Sequence, residues 1–222
     1  MASSGARLTR RGLLTAVAAG ATAAVLDGCG STKPSGQGSL LPGSTTANLI
    51  MIIRHAEKPG DSDTPRGIDA DGKHDNHSLT VRGWTRAGAL VQLFAPGTGA
   101  IRPGLARPTA IFAAGGSEGE GQRPRETVTP LAERLGLTVN TQYERGSEAA
   151  LAKACVARSG PTLICWQHGE IPAILAEFGH LRPAPPANWP GSRFDLVWVL
   201  TPSSDGWAFS QVPQLLLDGD GN

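Results

Sequence analysis

Aromatic side chains are few and scattered: five tryptophans, five phenylalanines and a single tyrosine in 222 residues. They form no ladder on which bases could stack. An excess of one charge is missing too, since 20 Lys and Arg against 19 Asp and Glu leave a formal net charge of +1. Without a basic footprint the chain is not expected to bind nucleic acid. No apolar run reaches the ~20 residues a spanning helix needs. Cysteine is limited to three, of which Cys155 falls in a predicted helix and Cys165 in a very apolar run, so both read as buried free thiols rather than a disulfide. What remains is an ordinary globular composition, 40% hydrophobic and 18% charged. The high Gly and Pro content comes in part from the amino-terminal leader and linkers.

The first 28 residues read as a leader outside the fold. Thr9-Arg10-Arg11-Gly12-Leu13-Leu14 is a twin-arginine pattern, and the alanine-rich apolar stretch from Gly12 to Leu26 fits the central region of an export signal. The stretch ends Leu26-Asp27-Gly28-Cys29, which resembles the lipid-attachment box of bacterial lipoproteins, with Asp27 an unusual member. Cys29 is the expected lipidation site, and the outer face of the bacterial cytoplasmic membrane the expected location, with plain secretion if no lipid is attached. Removing 1–28 takes away Arg7, Arg10, Arg11 and Asp27, a net +2, and leaves the remainder at −1. Residues 29–47, rich in Gly, Ser, Thr and Pro, read as a flexible, lipid-anchored linker. One domain is expected over 48–222.

Periodicity organises that domain. Asn48–Ile53 is an apolar strand, and 59–78 a polar segment. Thr80 opens a helical pattern with Trp84, Ala87, Leu90, Val91 and Phe94 on one face. A strand at 109–113 follows, then a helix from Pro124 to Leu135 closed by Gly136. Further strands are expected at 137–140 and 161–167, and helices at 147–158 and 171–178. Segments 194–200 and 207–212 read as a terminal antiparallel edge hairpin. Strands alternating with helices predict an α/β domain, a three-layer α/β/α sandwich with a mainly parallel central sheet.

Chemistry concentrates at strand ends. Arg54-His55-Ala56-Glu57-Lys58-Pro59 follows the first strand directly. Strand neighbours point to opposite faces, so Arg54 and His55 can converge only where the pleat ends. That carboxyl end is where open α/β sheets bind ligands. A histidine flanked by fixed cations suits attack on, or capture of, a phosphate group. A charged turn after an edge strand is the plainer alternative. The strand at 109–113 leads through a glycine-rich loop to Arg123, and the strand at 161–167 ends in His168-Gly169.

With these pieces in view, the sequence resembles the histidine phosphatase superfamily, which includes phosphoglycerate mutases, acid phosphatases and phytases. The pieces come in that family's order: Arg54–Pro59, Leu79-Thr-Val-Arg-Gly-Trp-Thr-Arg-Ala87, Gln122-Arg-Pro-Arg-Glu-Thr127, and Trp166-Gln-His-Gly169. The resemblance implies hydrolysis of phosphomonoesters through a phosphohistidine on His55. It implies Arg54, Arg123 and His168 as the groups that hold the phosphoryl oxygens, and no cofactor or metal. Lys58 stands where phytase-like members carry an extra arginine and is expected to touch phosphate or substrate. The second phosphate arginine is expected to be Arg123, four before Thr127, rather than Arg125. If Pro124 takes the first helical position, Arg125 lies about 200° around the helix from Arg123 and points elsewhere.

The acid that protonates the leaving oxygen stays open among Glu57, Glu144 and Glu170, with Glu118 and Glu120 in the loop before Arg123. The segment 59–78 holds His74, His77 and several aspartates, but their spacing matches no trusted metal motif, and a polar surface lid is expected. The expected partners are a phosphorylated small molecule or phosphoprotein, and the membrane through the lipid anchor. Two alternatives stand beside the hydrolase: a phosphohistidine-protein phosphatase and a non-catalytic phospho-ligand binding module.

Overall fold

The computed structural model describes residues 48–117 and 119–221, so the expected signal and linker at 1–28 and 29–47, including Cys29, and the acid candidate Glu118 lie outside the described residues. No helix among the described residues is long and apolar enough to cross a membrane. Seven strands form one sheet, in the order β3-β2-β4-β1-β6-β7-β5. They are β1 (Ile50–Arg54), β2 (Ala110–Ala113), β3 (Val139–Asn140), β4 (Thr162–Trp166), β5 (Leu181–Arg182), β6 (Leu196–Ser203) and β7 (Gly206–Pro213). The helices are α1 (Val81–Phe94), α2 (Gln122–Leu135), α3 (Glu148–Val156) and α4 (Ile171–Ala176).

The pleat of β1 explains the layers. Ile50 and Ile52 pack with Leu151, Ile171 and Ile174 of α3 and α4 on one face. Met51 and Ile53 pack with Leu90 and Phe94 of α1 and Leu131 of α2 on the other. A strand apolar at every position must be covered on both sides, and burying each of these side chains contributes about 1.5–3 kcal/mol. The result is a three-layer α/β/α arrangement.

The expectation of a mainly parallel sheet is met in part, since the sheet is mixed. β3, β2, β4 and β1 run parallel. β6 then lies antiparallel to β1, and β7 antiparallel to β6. A tight turn from Ser203 to Gly206 forces β7 to run against β6, because a two-residue connection can join only antiparallel strands. The hairpin is not the sheet edge either, since the two-residue β5 pairs in parallel outside β7. Strand propensity cannot reveal so short an element, which exists through its partner.

Helix ends follow side-chain chemistry. Thr80 caps α1, its hydroxyl accepting from the Gly83 N–H at 3.2 Å. Gly136 ends α2 at φ 65°, a conformation glycine adopts without strain. α2 begins two residues before Pro124, at Gln122, so Pro124 is not its first residue. The ring is tolerated there because the first-turn N–H groups have no intrahelical partner in any case. Cys155 and Cys165 are both buried and free. Burial pushes the Cys155 thiol up to about 12, against the opposing pull of Arg158, and also raises that of Cys165.

Candidate active site

Pairing of β1 with β4 brings the first and last pieces, Arg54–Pro59 and Trp166–Gly169, together. Arg54 is level with Trp166, and the His55 N–H continues the ladder to the Trp166 carbonyl at 3.0 Å. The chain beyond β4 therefore carries Gln167 and His168 alongside His55. β2 flanks β4 on its other side, and its exit loop leads to Arg123 in the first turn of α2. Three neighbouring parallel strands thus end at one rim.

His55 is only 5% exposed. Its Nδ1 lies 2.8 Å from the Ala56 carbonyl oxygen. A carbonyl only accepts, so Nδ1 carries the proton and Nε2 keeps its lone pair. Burial lowers the His55 pKa to about 3; the Ala56 carbonyl opposes this, while Arg54, Arg123 and His168 add to it. The ring is neutral at physiological pH.

Arg54 is buried, 2% exposed, and its guanidinium packs 3.8 Å from the centroid of the Phe194 ring. It donates from one terminal nitrogen to the Gly191 carbonyl at 2.5 Å and to that of Arg193 at 3.5 Å. Its Nε is buried without a partner among the described residues. Burial lowers its pKa to about 10, with Glu57 opposing, so it stays charged. Arg123 donates to the Asn76 carbonyl at 2.5 Å and that of Ser78 at 3.4 Å. Burial lowers its pKa, with Glu126 and Asp75 opposing. Among the described residues, no carboxylate comes within ion-pairing distance of Arg54, Arg123 or Lys58. These cations beside a neutral imidazole thus lack a direct ion pair, which leaves them available to an incoming anion.

His168 is half-buried; burial lowers its pKa, Arg54 and Lys58 add to this, and Glu170 opposes it. Lys58 is exposed at the rim. Arg125 is exposed elsewhere, lining with Glu144 and the loop glycines a cavity of about 420 Å³.

The acid candidates separate by their partners. Glu57 is occupied: Arg86 donates to it from Nε and a terminal nitrogen at 2.8–3.1 Å, and Arg82 at 3.1 Å. Its carboxylate oxygens are taken up by two guanidinium groups, so the geometry speaks against Glu57 as the acid. Glu170 pairs with Arg145 at 2.5 Å. The carboxylates of Glu144 and Glu120 are exposed and have no ion pair among the described residues.

The polar segment 59–78 borders the site. His74 Nε2 lies 2.8 Å from Asp63 and from Asn76, and Trp84 Nε1 donates to the Ile68 carbonyl at 2.8 Å. Among the described residues, no three His, Cys, Asp or Glu side chains group closely enough to hold a metal.

Sequence reasoning assigned no role to two residues. Thr127 is fully buried; its hydroxyl accepts from the Ala56 N–H at 2.8 Å and donates to the Arg123 carbonyl at 2.7 Å. The four-residue spacing of Arg123 and Thr127, which places them on one helix face, was the available signal. Phe194 was read as the first residue of a strand, yet β6 starts at Leu196 and Phe194 lies against Arg54. No local pattern announces that contact.

No family model matches the chain, and no curated protein does either. Solved structures that resemble it include the protein histidine phosphatase SixA complexed with tungstate, at TM-score 0.48 and 13% identity over 75% of this chain and 97% of that one. A "Mycobacterial hydrolase 1" gives TM-score 0.47 at 14% identity, over 77% of this chain and 100% of that one. A mycobacterial glucosyl-3-phosphoglycerate phosphatase complexed with VO3 gives 0.45 at 16%, over 73% and 96%. Likeness at this level carries no functional weight, which falls on the residues themselves.

Proposed function

We propose that this chain is a hydrolase that cleaves phosphomonoesters through a phosphohistidine on His55. The carrying observation is a buried neutral imidazole whose Nδ1 is committed to the Ala56 carbonyl, beside two arginines without carboxylate partners. In the first displacement Nε2 attacks phosphorus and the bond to the leaving oxygen breaks; that oxygen takes a proton. In the second, water attacks the phosphohistidine, the P–N bond breaks, its electron pair returns to Nε2, and inorganic phosphate leaves. Arg54 and Arg123 would hold the equatorial oxygens with planar forks, and His168 would donate to the same group. Phosphate charge is met by these side chains and Lys58, so the reaction is written without a metal. Its substrate would be a phosphorylated small molecule or a phosphoprotein.

The test is phosphate release from a panel of aryl, alkyl and protein phosphomonoesters by residues 29–222, against a His55→Ala control. Release lost in the variant, with an acid-labile and alkali-stable phosphoenzyme in the wild type, is the expected result. Phosphate binding without turnover would make the domain a binding module.

The sequence features at Thr9–Leu14 and Leu26–Cys29 further support an exported, lipid-anchored protein. Cys29→Ser should then move it from the membrane to the soluble fraction. Membrane retention together with loss of lipid labelling would indicate an uncleaved leader.

A further inference from the structure

A second charged cluster lies behind the site. Arg86, 2% exposed, bridges two carboxylates: it bonds Glu57, and Asp220 at 2.7 and 3.0 Å. Burial works against its charge, but its bonds to Asp220 and Glu57 prevail and raise its pKa. Asp220 also accepts from the Leu216 and Leu217 N–H groups at 2.8 and 3.1 Å. Asp195, 4% exposed, accepts from the Arg193 guanidinium at 2.6 and 3.0 Å and from the Gly221 N–H at 2.9 Å. Arg193 returns a bond to the Gly221 carbonyl at 2.8 Å, and Arg82 reaches the Asp218 carbonyl at 2.6 Å. Three arginines, 82, 86 and 193, meet three carboxylates, 57, 195 and 220. The cluster is balanced, in contrast to the cations of the site, which have no direct ion pair among the described residues.

Two routes run from this cluster to the Arg54-His55 pair. Along the first, Asp195 and Arg193 hold the turn that contains Phe194, whose ring lies on the Arg54 guanidinium. The same turn supplies the Gly191 and Arg193 carbonyls to Arg54. Along the second, Arg86 grips Glu57, two residues beyond His55. We propose that Asp220 and Asp195 clasp the segment 214–221 against Arg86 and Arg193, and that this clasp positions Phe194 and Arg54 for the phosphate, with Phe194 as a positioning residue. The inference deepens the proposed function and rests on it for the identity of the ligand. The Gly191 and Arg193 carbonyls and the Phe194 ring hold the Arg54 plane while its Nε stays unpartnered, so the turn that supplies them must itself be fixed. Displacements of about 1 Å at such a distance cost up to about 100-fold in rate.

The experiment compares wild type, Asp220→Asn, Asp195→Asn and Phe194→Leu in residues 29–222, with folding checked by circular dichroism. Phe194 is partly exposed and carries no charge, so its variant reports even if an aspartate variant does not fold. Three quantities are read: inorganic phosphate affinity from the His55 ring proton shift, amide exchange at residues 190–195, and p-nitrophenyl phosphate turnover. Expected are exchange at 190–195 faster by about tenfold in the aspartate variants and phosphate affinity weaker by about tenfold in all three. A folded Phe194→Leu or Asp220→Asn with phosphate affinity within about twofold of wild type overturns the clasp. A wild-type chain that binds phosphate without turnover overturns the hydrolytic reading and leaves the clasp scored on affinity. A wild-type chain that does neither overturns the proposed function, and exchange at 190–195 alone then decides the clasp.

Discussion

The Thr127 hydroxyl accepts the Ala56 N–H at 2.8 Å and donates to the Arg123 carbonyl at 2.7 Å, so one side chain spans the strand end that bears His55 and the helix turn that bears Arg123. Replacing it with valine keeps the volume and strands a buried donor, at a cost of about 1–3 kcal/mol. Thr127→Val should lower the unfolding free energy read from urea titration by that amount and reduce p-nitrophenyl phosphate turnover by about tenfold or more. Thr127→Ser should restore both. Full activity in a folded Thr127→Val would remove Thr127 from any positioning role.

Acid stability should report the buried imidazole. Above the ordinary histidine pKa of 6.5, His55 is neutral folded and unfolded and contributes nothing to pH dependence. As pH falls below 6.5 the unfolded chain binds a proton that the folded chain refuses until about 3, so stability is lost across that window. The full loss is at most about 4–5 kcal/mol, from ~1.4 kcal/mol per pKa unit. Asp220, lowered to about 2, adds a loss of its own below 3.8; burial works to raise it, and its bonds from Arg86 and the Leu216 and Leu217 amides overcome that. Urea unfolding at pH 7, 5 and 4 should show His55→Ala losing less than wild type. Equal losses would mean that the ring is not buried neutral.

The glutamates should separate by leaving group. Removing an acid hurts substrates whose leaving oxygen needs a proton and spares those with good leaving groups. Of Glu120→Gln, Glu144→Gln and Glu170→Gln, the variant that has lost the acid should slow alkyl phosphate hydrolysis by about 100-fold while leaving p-nitrophenyl phosphate within a few-fold. Glu57→Gln should lower stability and slow both substrates alike, because it breaks the grip of Arg86. An alkyl-selective loss in Glu57→Gln would instead make Glu57 the acid.

Chelation should leave turnover unchanged, since Arg54, Arg123 and Lys58 supply the charge the phosphate needs. Loss in EDTA that zinc or magnesium restores would move attention to His74 and Asp63, 2.8 Å apart in the segment 59–78.

Much of the layering was legible in the chain. β1 and β4 are apolar at nearly every position, which only a strand covered on both faces can satisfy. The spacing of Ala87, Leu90 and Phe94 shows the buried face of α1, and Thr80 its start. Arg54, His55, Arg123 and His168 were singled out because each stands at the end of a recognisable strand or at a helix entrance, and their proposed roles come from the family resemblance. These are local properties, carried by neighbours in sequence.

What only the tertiary structure decided depends on residues far apart in the chain. The antiparallel place of β6 beside β1 follows from pairing partners, and two-residue β5 has no period to read. Glu57 looked free for proton transfer until Arg86, 29 residues away, was found holding it. Phe194 reached Arg54, and Asp220 reached Arg86, across more than half the domain. Composition and periodicity report which face of an element is buried. They do not report which distant charge will meet it, because that is set by strand order and by the closing of loops whose cost barely depends on their length.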